Sequence, residues 1–141
     1  MRRGAWWTTV AIGLALAFGA GTALAGDAPW AAPAADKAKK NPVAKAAGAR
    51  DGKKSYETNC VACHGAQGKG DGPAAAALTP KPKNLGEKAI QDESDGEIFW
   101  KITTGRGSMP PWQQLPEKER WGLVHHIRSF APAAAPAKKK Q

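Results

Sequence analysis

Apolar positions recur at the helical period in two stretches of this chain. Leu123, Val124, Ile127 and Phe130 fall three or four apart and share one face of a predicted helix. Pro116-Glu117-Lys118-Glu119 opens that helix with acids in its first turn, where the helix dipole favours negative charge. Upstream, Ser94-Asp95-Gly96-Glu97 is a capping-box pattern ahead of Ile98, Phe99 and Ile102, and Gly105 stands where that helix should stop. Residues 49–60 predict an earlier helix. Residues 65–88 carry no convincing period beyond a short helix at 73–78. The expectation is an all-α domain of three to five helices over residues 48–131.

The flanks read differently. Residues 5–21 are uncharged, follow Arg2 and Arg3, and lead to Ala23-Leu24-Ala25, a site of small residues suited to signal peptidase. Residues 1–25 are therefore read as a cleaved signal peptide of the general secretory route, which places the mature chain in the periplasm. A retained segment is the alternative, because about 20 apolar residues can span a bilayer, and only then would the chain be tethered to a membrane. Residues 26–47 are rich in Ala, Pro and Lys and read as a flexible linker; residues 132–141 repeat that composition as a disordered basic tail.

Charge, sorted by segment, removes one class of function. The chain carries a formal +9, which in a small protein suggests nucleic acid. Most of it lies in the flanks: residues 48–131 hold 12 basic and 10 acidic side chains. A nearly balanced domain is a poor nucleic-acid surface, and none is expected as a partner. The basic ends are solvated tails, or attract an anionic surface weakly.

A domain of this size commonly needs a staple. Cys60-Val61-Ala62-Cys63-His64 supplies one, in the C-x-x-C-H pattern of covalent haem attachment. Two thiols three positions apart on a helical turn can each reach one vinyl group of a single porphyrin, and the adjacent imidazole is placed as proximal iron ligand. A redox C-x-x-C disulfide would want a βαβ pattern that is missing here. A zinc site would need two ligands more than Cys60 and Cys63, and His125 and His126, about 100° apart on a helix, are a poor chelating pair.

For the sixth iron position the candidates are Met109, His125 and His126. Met109 lies in Gly105-Arg106-Gly107-Ser108-Met109-Pro110-Pro111-Trp112, where glycines permit close approach to a flat cofactor and two prolines stiffen the chain beyond the methionine. Such a thioether suits ligation better than ordinary packing. Met/His ligation saturates the iron and suits electron transfer.

These pieces, in order, resemble the monohaem class I cytochrome c family, especially small bacterial c-type domains. The matching segments are Gly52 to Cys60 before the haem motif, Gly68-Lys69-Gly70-Asp71-Gly72-Pro73 after it, Ile98 to Trp112, and Glu119 to Arg128. The resemblance implies a fold wrapped around one haem c. It assigns Cys60 and Cys63 to the covalent thioethers, His64 to the proximal iron ligand and Met109 to the distal one. It also implies that the last helix crosses the first near Gly52 and Tyr56, and that a proline carbonyl, from Pro73, Pro80 or Pro82, accepts the proximal imidazole N–H. The family usually has an aromatic where His126 stands.

The function expected is one-electron transfer between donor and acceptor redox proteins, by a monomer that catalyses no reaction of its own. Lys69, Lys81, Lys83, Lys88, Lys101 and Arg106 flank the haem segments and could steer acidic partners. The alternatives are a haem subunit of a larger membrane or periplasmic oxidoreductase, and a peroxidase-like enzyme with an open iron face.

Overall fold

The computed structural model describes residues 29–132. The readings made for residues 1–25, and for all but the first residue of 132–141, lie outside them. Among the described residues the fold is helical without strands, in the order α1 (Ala34–Lys37), α2 (Lys45–Asn59), α3 (Val61–His64), a 3-10 turn (Ala75–Ala77), α4 (Lys88–Gln91), α5 (Asp95–Thr104) and α6 (Glu117–Arg128). Five of these helices, α2 to α6, make up the expected domain, within the three to five expected; α1 lies ahead of it. Helices α1, α3 and α4 are single turns, too short to show a period in the sequence.

Helices α2 and α6 form the main packing, and glycine sets how closely they cross. A Cβ on Gly52 would lie 2.0 Å from the Gly122 carbonyl oxygen, and one on Gly122 would lie 3.0 Å from the Gly48 oxygen. Only residues without side chains let two helix backbones meet like this. Around the crossing lies a core of Tyr56, Ile98, Phe99, Ile102, Trp121, Leu123, Val124 and Ile127. Phe99 and Trp121 stack at 3.9 Å between centroids, joining α5 to α6. Phe130 falls just past α6 and is only partly buried at the edge of this core.

Helix α5 starts as the sequence suggests, but with half of the expected box. Ser94 Oγ accepts from the Glu97 backbone N–H at 3.1 Å. The Glu97 carboxylate turns away instead: it accepts from the Ala32 N–H, and it pairs with Lys37 at 3.4 Å and Lys101 at 3.8 Å. Lys101 also pairs with Glu93 and sits 5.4 Å over the Trp30 ring.

Those partners change the reading of the segment ahead of the domain. Residues 29–44 are not a free spacer: they form a strap docked on α5 and α6, and residues 45–47 already belong to α2. Ala32 is buried, and a Cβ on Gly96 would meet the Asp36 carbonyl oxygen at 2.0 Å. The Asn41 side-chain amide donates to the Trp121 carbonyl at 3.0 Å, its oxygen accepts from Val43 N–H, and His125 Nε2 donates to the Val43 carbonyl at 2.8 Å. The close contact is made by backbone, the Asp36 and Lys39 carbonyls lying over Gly96, and of the strap's alanines Ala32 is the one that is buried.

Candidate functional site

The chain passes from α2 into α3 at Cys60. The Cys63 and His64 N–H groups donate to the Cys60 carbonyl at 3.1 and 2.8 Å, which closes one turn and puts both thiols and the imidazole on it. Gly65, at φ +76°, ends the turn. The following loop then folds back over it. Gly70 N–H donates to the His64 carbonyl, Gly72 N–H to Cys63 and Ala74 N–H to Ala62. A Cβ on Gly72 would lie 2.5 Å from the carbonyl oxygens of both Val61 and Ala62, so the loop can lie this close only with glycine there.

Cys60 and Cys63 are free and half-buried. Burial, reinforced by the neighbouring Cys63, pushes the Cys60 thiol up to about 12. A thiol so far from ionisation is a poor disulfide-exchange nucleophile. His64 is held below the usual imidazole value by burial, with the backbone of Lys83 opposing. That backbone closes no hydrogen bond, and His64 Nδ1 is buried without a partner. The backbone group that faces the imidazole comes from Lys83. A neutral imidazole with a buried, unpartnered nitrogen suits metal ligation.

Met109 arrives on a different element. Helix α5 stops at Gly105, φ +61°, where a Cβ would meet the Met109 carbonyl oxygen at 2.5 Å. Arg106 and Met109 exchange both backbone hydrogen bonds, at 2.9 and 3.0 Å, around Gly107 and Ser108. Gly107, at φ +57°, occupies the first central position of this two-residue turn. Pro110 and Pro111 come next, and Trp112 N–H returns to the Ile102 carbonyl at 3.0 Å. The half-buried Met109 therefore sits on a braced hairpin, and it packs on the same core as Cys60 and Val61. The other candidates are engaged elsewhere: His125 with Val43, and His126 between Tyr56 and Phe130.

Sequence reasoning missed two supports of the turn. Tyr56 Oη donates to the Gly65 carbonyl at 2.8 Å, and the Phe130 ring lies where a Cβ on Gly68 would fall, 2.8 Å from it. A tyrosine four residues ahead of the first cysteine was the available signal for the first.

A depression of about 520 Å³ lies between the strap and α6, is lined by Pro42, Val43, Ala44, Glu117, Lys118 and Trp121 among others, and holds none of the candidate residues. Another, of about 400 Å³, borders the turn at Val61, Gly65 and Asp71. Among the described residues no three His, Cys, Asp or Glu side chains converge as a metal site. No helix among the described residues is long and apolar enough to cross a membrane.

Comparison with known proteins agrees with this chemistry. Among curated proteins none matches the chain. A chain of the Kuenenia stuttgartiensis reducing HAO-like protein complex Kustc0457/Kustc0458 is similar at 29% identity and a TM-score of 0.57, over 64% of this chain and 47% of that one. This chain thus spans about half the length of that relative. The KustC0563 c-type cytochrome is 29% identical, with a TM-score of 0.49, over 58% of this chain and 99% of its own. Residues 47–127 match the family model described as cytochrome c oxidase, cbb3-type, subunit III. With most of its described residues inside that match, the chain belongs to this family of c-type cytochrome domains, which carry electrons on a covalently bound haem c.

Proposed function

We propose that this protein is an exported c-type cytochrome that passes single electrons between redox proteins and catalyses no reaction of its own. In this reading Cys60 and Cys63 form the thioethers, His64 is the proximal iron ligand and Met109 the distal one. The observation that carries it is the single turn holding both thiols beside a neutral imidazole with a buried, unpartnered nitrogen. The bound haem supplies the Fe(III)/Fe(II) couple. The protein's part is to hold the iron's environment steady through transfer: the loop after Gly65 braces the proximal side, and the Gly105–Trp112 hairpin fixes the thioether.

The test is the spectrum of the ferric protein. A low-spin signature with the weak sulfur-to-iron band should be present, and Met109→Ala should lose that band. A variant that keeps it would overturn the distal assignment; a high-spin resting protein that binds small ligands quickly would favour the peroxidase-like alternative.

One observation favours a refinement. The matched family is described by an oxidase subunit, and a similar chain comes from a protein complex. This supports a working place inside a larger redox assembly, checked by asking whether partner proteins co-purify with the native chain under mild conditions. Export through residues 1–25 is checked by the mass of the purified protein, which should begin near Gly26.

A further inference from the structure

His126 occupies an unusual place for a titratable ring. It lies 4.9 Å from the Tyr56 ring and 4.8 Å from Phe130, and these two are themselves 5.2 Å apart, so the three rings form one cluster where α6 ends against α2. Two members of the cluster reach the loop behind His64. Tyr56 donates to the carbonyl of Gly65, the residue directly after His64, and Phe130 covers Gly68. A charge placed on the third member therefore acts on the brace of the proximal ligand.

We propose that His126 is a protonation site coupled to the redox state of the haem iron, a positioning residue that acts through Tyr56 and Gly65. The proposal rests on the haem reading of Cys60, Cys63 and His64. When an electron from a donor protein reduces Fe(III) to Fe(II), a proton from solvent adds to the His126 imidazole in part of the molecules; reoxidation releases both. Two effects give the direction. Added positive charge on the cluster that braces the residue after His64 favours the state with one more electron. A cation against the Tyr56 ring also draws density from the phenol and strengthens its donation to Gly65.

The surroundings set where this operates. Burial favours the neutral ring and lowers its proton affinity; Glu57 on α2 opposes that, and Lys53 on the same helix adds to it. The other ring neighbours are Tyr56, whose phenol stays protonated because burial, then Cys60 and Asp71, raise it, and Phe130, which carries no charge. The imidazole is thus neutral at pH 7 and charges on acidification. Potential is highest at low pH and falls as pH rises through the titration. A phenylalanine at this position would pack similarly and lose the coupling.

The experiment is the midpoint potential of the haem-loaded protein from pH 4.5 to 8, alongside the His126 ring proton resonance titrated in both oxidation states. Binding should be tighter in the reduced protein by about fivefold, the low end of ordinary coupling between sites. His126→Phe and His126→Gln should both remove that part of the pH dependence, and Tyr56→Phe should weaken it while leaving His126 titratable. An unchanged profile in the two His126 variants, or equal titration in both oxidation states, overturns the proposal. Protein that carries no covalent haem sinks the underlying reading, and this inference with it; a haem stain on a denaturing gel distinguishes that outcome first.

Discussion

Tyr56 donates to the carbonyl oxygen of Gly65 from the buried end of α2, and the chain between them holds the whole Cys60–His64 turn. The bond joins positions nine apart on either side of the site, so a contact to the residue next to His64 controls how firmly the turn is held. Tyr56→Phe keeps the ring and removes the bond. The expected cost is about 1–2 kcal/mol, since the Gly65 carbonyl loses a buried donor. Urea unfolding monitored by far-UV circular dichroism reads it; an unchanged midpoint would mean the carbonyl finds another donor.

The crossing of α2 and α6 should tolerate no side chain. Gly52→Ala gains up to about 1 kcal/mol of helix propensity. It also drives a methyl group to 2.0 Å from the Gly122 carbonyl oxygen, where the neighbour is backbone and cannot step aside. Overpacking of this kind costs about 3 kcal/mol or more, so the clash wins. Expression at low yield, or a midpoint lowered by that amount, is the expected result, whereas Gly107→Ala, with no neighbour near its Cβ, suffers only from its positive φ.

The strap is held by charge as well as by shape. Lys101 lies between Glu93 and Glu97 with its side chain mostly covered. Lys101→Met leaves two carboxylates short of a cation in a poorly solvated place, and breaking such a pair costs about 3 kcal/mol. Limited proteolysis should cut the variant between residues 29 and 44 sooner than it cuts the parent. Equal rates would show that the strap is held without this network.

Acid should weaken the fold, and the sign comes from His126. Its folded proton affinity lies below the ordinary imidazole value of 6.5, so below that pH the unfolded chain binds more protons. Stability is full above about pH 6.5 and is lost as the pH falls through the folded value. Denaturant midpoints should drop between pH 7 and pH 5, and His126→Phe should lessen the drop. A midpoint flat across this range would contradict it.

The core helices were legible because burial repeats along them: the Leu123–Ile127 face and the Ile98–Ile102 face both lie in the core. The Cys60–His64 turn was legible because its chemistry is local. What escaped were contacts between distant residues whose composition looked unremarkable. Ala32 and Asp36 belong to a segment poor in apolar bulk, yet they dock: the Ala32 N–H reaches the Glu97 carboxylate, and Gly96 offers no side chain to hold off the Asp36 carbonyl. Trp30 and Asn41 were the exceptions in that composition, and both proved to be anchors. The Lys83 backbone beside His64 was unreadable for another reason: which group faces the imidazole is set by how loop 65–88 folds, and no period marks it.

The docked strap also changes mechanics. A free coil of the strap's length would have a root-mean-square span of roughly 24 Å and would let the domain swivel on a leash. Fastened along α5 and α6, residues 29–44 act as a bracket. The chain at Trp30 then stays beside Lys101 instead of sampling that span, and the α5 face beneath it stays covered.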